Sequence, residues 1–223
     1  MVNTILILAG GDGMRLKEIT GDTSKPLIDL GGEPLLTKII RKTAAELNIN
    51  NIYLLIQKKH RKQYLTFLEQ YREFYKYNIK LWVEETKLGT GGAIKNFLKN
   101  NDVEYFYVTN ADTIINTSIK DFTRAKINSI LCTMVKSNNR FGSIEKDEEN
   151  YIIKFNNAEH SCSDTLVNAG VYKLSRNIFD LIYEDIFDIE QTLFSLLANQ
   201  SQIYAYEMEL LFEDIGIPEA YYK

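Results

Sequence analysis

Hydrophobic and polar positions change period repeatedly along this chain, and the changes delimit its elements. "NTILILA" (residues 3–9) is a continuous apolar run stopped by glycines, as in a strand buried on both faces. From Pro34, the residues Leu35, Leu36, Ile39, Ile40 and Leu47 fall at helical spacing, with proline suited to the first turn. "NIYLLI" (51–56) predicts a strand, "HRKQYLTFLEQY" (60–71) an amphipathic helix, and "IKLWVEE" (79–85) another strand. The glycine turn "LGTGG" then opens a helix, and "VEYFYVTNAD" (103–112) reads as an aromatic-rich strand with a polar end. This alternation predicts an α/β protein with a Rossmann-like, mostly parallel mixed sheet and helices on both faces.

The second half is less regular. "SILCTMVK", "GSIEKD", "NYIIKF" and "TLVNAGVYKL" predict strands, "SRNIFDLIYE" and "DIEQTLFSLLANQ" predict helices, and "QIYAYEM" a late strand. Together they extend the sheet and add a small antiparallel flap beside it. A single domain over 1–223 is expected, with halves at 1–115 and 116–223. In such sheets ligands sit beyond the carboxyl ends of the strands. The glycines after Ala9, the turn after Glu85 and the "NAD" ending at Asp112 should therefore meet.

Composition narrows the partners. A net charge of −4 argues against nucleic acid, whose binders carry a basic footprint. Cys132 and Cys162 are too few and too far apart for a disulfide framework or zinc site, which suits a reducing cytoplasm. The opening "MVNTILILAGG" lacks the basic flank of a leader, and no apolar stretch nears the ~20 residues of a membrane span. His60 and His160 read as solvated surface residues. The aromatics of "YREFYKY" (71–77) leave room for a homodimer face, though packing on their own core explains them as well.

The chemistry concentrates in "LILAGGDGMRLKEITGDTSKPL" (6–27). Glycines behind a strand let backbone N–H groups approach an anion, and Arg15 adds a fork of donors for phosphate oxygens. The stretch is neither a Walker A loop nor a GxGxxG fingerprint, so a plain turn and a phosphate cradle both fit it. Lys25 precedes Pro26, whose ring restricts the backbone and lets the ammonium be aimed.

"LAGGxGxRL…KPL" resembles the signature of the sugar-1-phosphate nucleotidyltransferases. "LGTGGAI", "NAD", "NAGVY", "DIEQTLF" and "EDIGIPEAY" follow in the family's order, over essentially the whole chain. The resemblance implies that the first half binds a nucleoside triphosphate and the second a sugar phosphate under the flap. Leu8, Ala9, Gly10, Gly11 and Gly13 would hold the nucleotide, with Glu85, Gly89 and Thr90 facing the base. Arg15 and Lys25 would be catalytic, offsetting charge at the transferring phosphoryl group. Asp112 and Asp214 would hold Mg²⁺, and Asn110, Asn168, Gly170 and Glu190 would contact the sugar phosphate. Each has a plainer counterpart: Asp112 as a helix cap, Asp214 as turn chemistry, Glu190 as a first-turn acid.

Departures from the family pattern are also visible. Met14 stands where relatives often carry threonine, and Asn110 where they carry glycine. No lysine follows Phe155, where many relatives have one for the sugar phosphate, leaving Lys173 or Arg140 to supply that charge. "LGTGGAIKNF" and the short chain most resemble guanylyltransferases acting on D-glycero-α-D-manno-heptose 1-phosphate, for glycans of capsule, lipopolysaccharide or S-layer. Mannose 1-phosphate is the near alternative, and dTTP, CTP or UTP could replace GTP. A glycosyltransferase would share the sheet but places Asp-x-Asp where this chain has "NAD". An inactive binding homologue is opposed by the intact Arg15, Lys25, Asp112 and Asp214.

Overall fold

Alternate residues of the first strand, β1 (Thr4–Leu8), enter opposite cores: Ile5 and Ile7 on one face, Leu6 on the other. The computed structural model describes residues 2–11, 21–136, 141–156 and 164–215, the side chain of Asp214 excepted. Strand β2 (Asn51–Gln57) repeats the pattern, with Ile52, Leu54 and Ile56 on the first face and Leu55 on the second. The first face is covered by helices α1 (Leu35–Glu46) and α2 (Arg61–Gln70), the second by α3 (Gly89–Asn100). Apolar runs without alternation are what two covered faces require. Helix α1 stops at Leu47, and the following Asn48 takes the left-handed conformation that favours asparagine or glycine.

Strands β3 (Asn78–Glu84), β4 (Tyr105–Asn110), β6 (Ser129–Val135), β9 (Thr165–Ser175) and β10 (Tyr204–Glu207) complete a seven-stranded sheet in the order β10-β6-β9-β4-β1-β2-β3. Only β9 runs antiparallel to its neighbours in this sheet. The expected Rossmann-like mixed sheet is therefore present. The flap strands β7 (Ile144–Lys146) and β8 (Ile152–Phe155) pair antiparallel, and an isolated bridge from Ser143 to Val167 ties them to β9. Among the described residues, no helix is long and apolar enough to cross a membrane.

Several local expectations change. "SRNIFDLIYE" forms only a 3₁₀ turn, Arg176–Leu181, and Lys95 Nζ donates to the carbonyls that follow it, of Ile182, Tyr183 and Glu184, at 2.6, 3.0 and 3.0 Å. "DIEQTLFSLLANQ" starts as a π-helical turn, Ile189–Phe194, before α4 (Ser195–Asn199). The Ser195 N–H and hydroxyl both reach the Glu190 carbonyl, an i to i+5 closure. Two three-residue strands, β5 (Thr113–Ile115) and β11 (Phe212–Asp214), pair antiparallel, although neither is long enough to show a period. His60 is buried at the entrance to α2 rather than solvated. Tyr71 and Phe74 pack on Phe67, as the plainer reading of "YREFYKY" expects, while Tyr75 faces solvent.

The N-terminus of α3 is built by close backbone approach. The Phe187 carbonyl accepts from the N–H groups of Gly91 and Gly92 at 3.0 and 3.2 Å, and Phe187 N–H donates to Leu88 O at 3.0 Å. Gly89 has φ +76°, and a Cβ there would overlap the same carbonyl. Gly89→Ala combines left-handed strain with overpacking, so it should cost about 1–3 kcal/mol. The check is the urea midpoint, which falls in the variant; an unchanged midpoint contradicts this account of the turn.

Candidate active site

A cleft of about 370 Å³ opens at the carboxyl ends of β1, β3 and β4. Leu8, Gly10, Gly11, Gly89, Thr90, Asn110 and Asp112 line it, so residues from three separate stretches of sequence converge as the strand-end rule requires. Ala9 is buried behind the rim, its N–H donating to Leu55 O at 2.9 Å. Because β9 is reversed, its first residues reach this rim. Gly170, at φ +76°, lies directly under Asn110, whose Nδ2 would stand 2.9 Å from a Cβ at that position. A larger groove, of about 400 Å³, lies at the other end of the sheet around Glu104, Asn128 and Ser175, and no candidate residue lines it.

Lys25 and Asp112 meet although 87 residues separate them: Nζ lies 2.7 Å from Oδ2. The lysine side chain is only 12% exposed, whereas the aspartate is 41% exposed. Lys25 opens a 3₁₀ turn, Lys25–Leu27, whose buried Pro26 fixes the chain behind it. Asp112 follows β4 directly and caps no helix. On the backbone, Asp214 pairs opposite Thr113, and Ile215 N–H donates to Asp112 O at 2.9 Å. The two aspartates expected to share a metal are thus neighbours along the backbone, Asp112 just before β5 and Asp214 at the end of β11, the strand paired with it. Hard carboxylate oxygen, open to the cleft at Asp112, is the donor chemistry Mg²⁺ takes, with phosphate and water supplying the remainder.

Behind this pair lies an acidic pocket. The Asp188 carboxylate caps the π turn, accepting from Glu190 and Gln191 N–H groups at 2.9 and 3.1 Å. Its other oxygen accepts from Thr90 Oγ1 at 2.9 Å, joining α3 to the turn. Burial pushes the Glu190 carboxyl up, and the charges of Asp188 and then Asp112 push the same way; hydrogen bonds from Asn168 and Tyr172 partly reverse this. Asn168 is held in turn, with Oδ1 accepting from Gly170 N–H at 2.8 Å and Nδ2 donating to Tyr172 Oη at 3.0 Å. Asn110, Asn168, Gly170 and Glu190 therefore form one contiguous wall.

Two expectations are displaced. Glu84, not Glu85, faces the cleft: it shares its strand face with Trp82, which donates to Asn96 of α3 at 3.0 Å, while Glu85 pairs with Lys58 in solvent at 2.6 Å. A one-residue step along a strand exchanges the faces. Burial raises the Glu84 carboxyl to about 7, against a hydrogen bond from the Leu88 N–H that favours ionisation. Lys173 does not serve the rim. It is buried three residues beyond Gly170, donating to the carbonyls of Thr123 and Ala125 at 2.8 and 2.6 Å. Arg15, Gly13, Met14 and Arg140 lie outside the described residues, as do His160 and Cys162. Asp188 was not singled out, although an acid two residues before Glu190 at a helix start is a capping signal.

The comparisons agree with this geometry. Residues 4–223 match the model of the nucleotidyl transferase family. The mannose-1-phosphate guanyltransferase of Candida albicans is 33% identical over 224 residues, covering 96% of this chain and 61% of that protein. The chain thus spans about three fifths of that relative's length. The D-glycero-alpha-D-manno-heptose 1-phosphate guanylyltransferase of Campylobacter jejuni is 33% identical over 226 residues, covering 97% of this chain and 96% of that protein. The crystal structure of HddC from Yersinia pseudotuberculosis matches with a TM-score of 0.85 and 28% identity, over 99% of this chain and 97% of that one. The same protein complexed with GMP-PN matches at 0.81. With its fold, its cleft and nearly every residue accounted for by one family, this chain belongs to the nucleotidyl transferases.

Proposed function

We propose that the chain transfers a guanylyl group from GTP to a sugar 1-phosphate, with D-glycero-α-D-manno-heptose 1-phosphate favoured. The observation that carries this reading is the Lys25–Asp112 contact at the centre of one cleft. A glycine rim suited to a nucleotide lies on one side of it and the Asn168–Gly170–Glu190 wall on the other. The heptose relative supports the sugar because it matches this chain end to end. Mannose 1-phosphate is the second reading, supported by equal identity to the Candida relative.

In the reaction, an oxygen of the sugar phosphate attacks the α-phosphorus of the nucleotide. The bond from that phosphorus to the α,β-bridging oxygen breaks, and pyrophosphate leaves with the electron pair. The attacking oxygen is already anionic, so no general base is required. What the chain must do is align two polyanions and offset their repulsion. The N–H groups at Gly10 and Gly11 face the phosphates, and Lys25, with Arg15, meets charge at the transferring group. Asp112 and Asp214 would hold Mg²⁺, which supplies further neutralisation when bound. Lys25, which lies 2.7 Å from Asp112 Oδ2, would turn to the phosphoryl oxygens in the loaded site. Glu84 accepts from guanine N1–H and the exocyclic amine, two donors that a single carboxylate can take together.

Pyrophosphate release, measured across four NTPs with heptose and mannose 1-phosphates, tests the whole reading. Turnover should be highest with GTP and the heptose phosphate; no release with any pair, alongside tight nucleotide binding, sinks it. Lys25→Met should lower kcat by about 10²–10³ while nucleotide KM changes little, since its contact forms in the transition state. Equal losses in binding and turnover count against that role.

Glu84 gives the pH dependence. Burial pushes its carboxyl up to about 7 and only the ionised form accepts from both guanine donors, so affinity for the guanine base rises as pH increases through 7 and falls below it. Calorimetric titrations with guanosine, which carries no phosphate to titrate, between pH 5.5 and 8.5 should show this rise in the wild type and a flat profile in Glu84→Gln. Identical profiles remove Glu84 from base reading.

A further inference from the structure

The chain entering the Lys25 turn is held by groups that no step of the transfer uses. Tyr64, on α2, is wholly buried, yet its hydroxyl lies between two separate strands of chain: 2.9 Å from Ser24 Oγ and 3.2 Å from the Ala9 carbonyl. A carbonyl only accepts, so the phenolic proton goes to Ala9 and the Ser24 hydroxyl donates to Tyr64. Burial pushes the phenol far above its ordinary range, and the link keeps its proton at any working pH. Ser24 is fixed at its other polar atoms too: its N–H donates to Gln63 Oε1 at 2.8 Å, and its carbonyl accepts from Leu27 N–H at 2.8 Å. Gln63 also donates to the Asp22 carbonyl at 2.8 Å, and the Gln57 amide donates to the Gly10 carbonyl. Three side chains from β2 and α2 thus bind both the end of β1 and the residues leading to Lys25.

We propose that Tyr64 and Ser24 are positioning residues for Lys25, their linked hydroxyls clasping the Lys25 turn to the end of β1. The inference rests on the transfer role of Lys25 given above. A core site needs no hydroxyl, and phenylalanine would fill the volume at position 64 equally well. The hydroxyl instead spans the gap between the nucleotide rim and the residue before the lysine. With Ser24 held at every polar atom and Pro26 buried, the Lys25 backbone is fixed on both sides, and its ammonium is delivered to Asp112. A misplacement of about 1 Å at a reacting group can cost ~10²-fold in rate, so the clasp has a kinetic signature.

Tyr64→Phe and Ser24→Ala, each in the full chain, test this. Both should lower kcat about 10–100-fold with nucleotide KM within about threefold, and the double variant should be no worse than the poorer single, because one hydrogen-bond chain is broken in all three. Acetylation of Lys25 by acetic anhydride, followed by mass spectrometry, should be roughly 3–10-fold faster in each variant as the turn opens locally. Lys25 labelled at the wild-type rate overturns the proposal, as does unchanged kcat, or a kcat loss that merely tracks the folded fraction by circular dichroism. Should Tyr64→Phe fail to fold, Ser24→Ala carries the same measurements. If the wild type turns over no nucleotide and sugar phosphate, the transfer reading fails, and the labelling rate alone still decides whether the clasp holds Lys25.

Discussion

Strand β9 runs antiparallel between β4 and β6, hydrogen-bonding both, and so delivers its first residues rather than its last to the rim where β1 and β4 end. Were it parallel, Asn168 and Gly170 would lie at the opposite edge of the sheet. The reversal also sets the close contact of Gly170 with Asn110, and through Asn168 the hydrogen bonds that steady Tyr172 and Glu190. Asn168 and Gly170, and through them Tyr172 and Glu190, are referred to that strand. The glycine rim depends on the parallel part of the sheet, and the two meet only because their edges coincide.

Among the described residues, acids outnumber cations at this rim. Glu84, Asp112 and Asp188 line the cleft beside Lys87, Glu190 lies behind them, and Lys25 is ion-paired with Asp112. Each acid is managed differently. Asp188 is satisfied by backbone N–H groups and Thr90, Glu190 is pushed toward its neutral form, and Glu84 is poised near neutrality by burial. Asp112, 41% exposed, keeps its carboxylate open to the cleft while pairing with Lys25.

The parallel half of the fold was legible because its strands are covered on both faces, so their apolar runs admit few other readings. Helix α3 was legible from its glycines, and the meeting of Gly10, Gly89 and Asp112 from the strand-end rule. What escaped has physical causes. β5 and β11 are too short to show alternation and exist only by pairing with each other. Glu84 and Glu85 are identical neighbours, and only the packing of Trp82 on α3 tells which faces inward. Lys173 sits among strand residues as a cation might near a phosphate, but its depth along β9 places it among carbonyls instead. Tyr64 reads as an ordinary core aromatic, because nothing local says that its hydroxyl reaches Ala9 and Ser24.

The segment around Phe187 meets the first turn of α3 through main-chain oxygen as well as through the Phe187 ring, which lies against Gly91. A Cβ on Gly89 would strike the Phe187 carbonyl, and one on Gly92 the Asp185 carbonyl, neither of which depends on the side chain it belongs to. Heritable variation is therefore unequally permitted across this contact. The helix must keep its glycines, while a change at Asp185 gives up an exposed ion pair with Lys99 and still presents the same main-chain oxygen. A lineage can thus rewrite the exterior of the strap that leads to Asp188 and Glu190 without disturbing the joint that holds them.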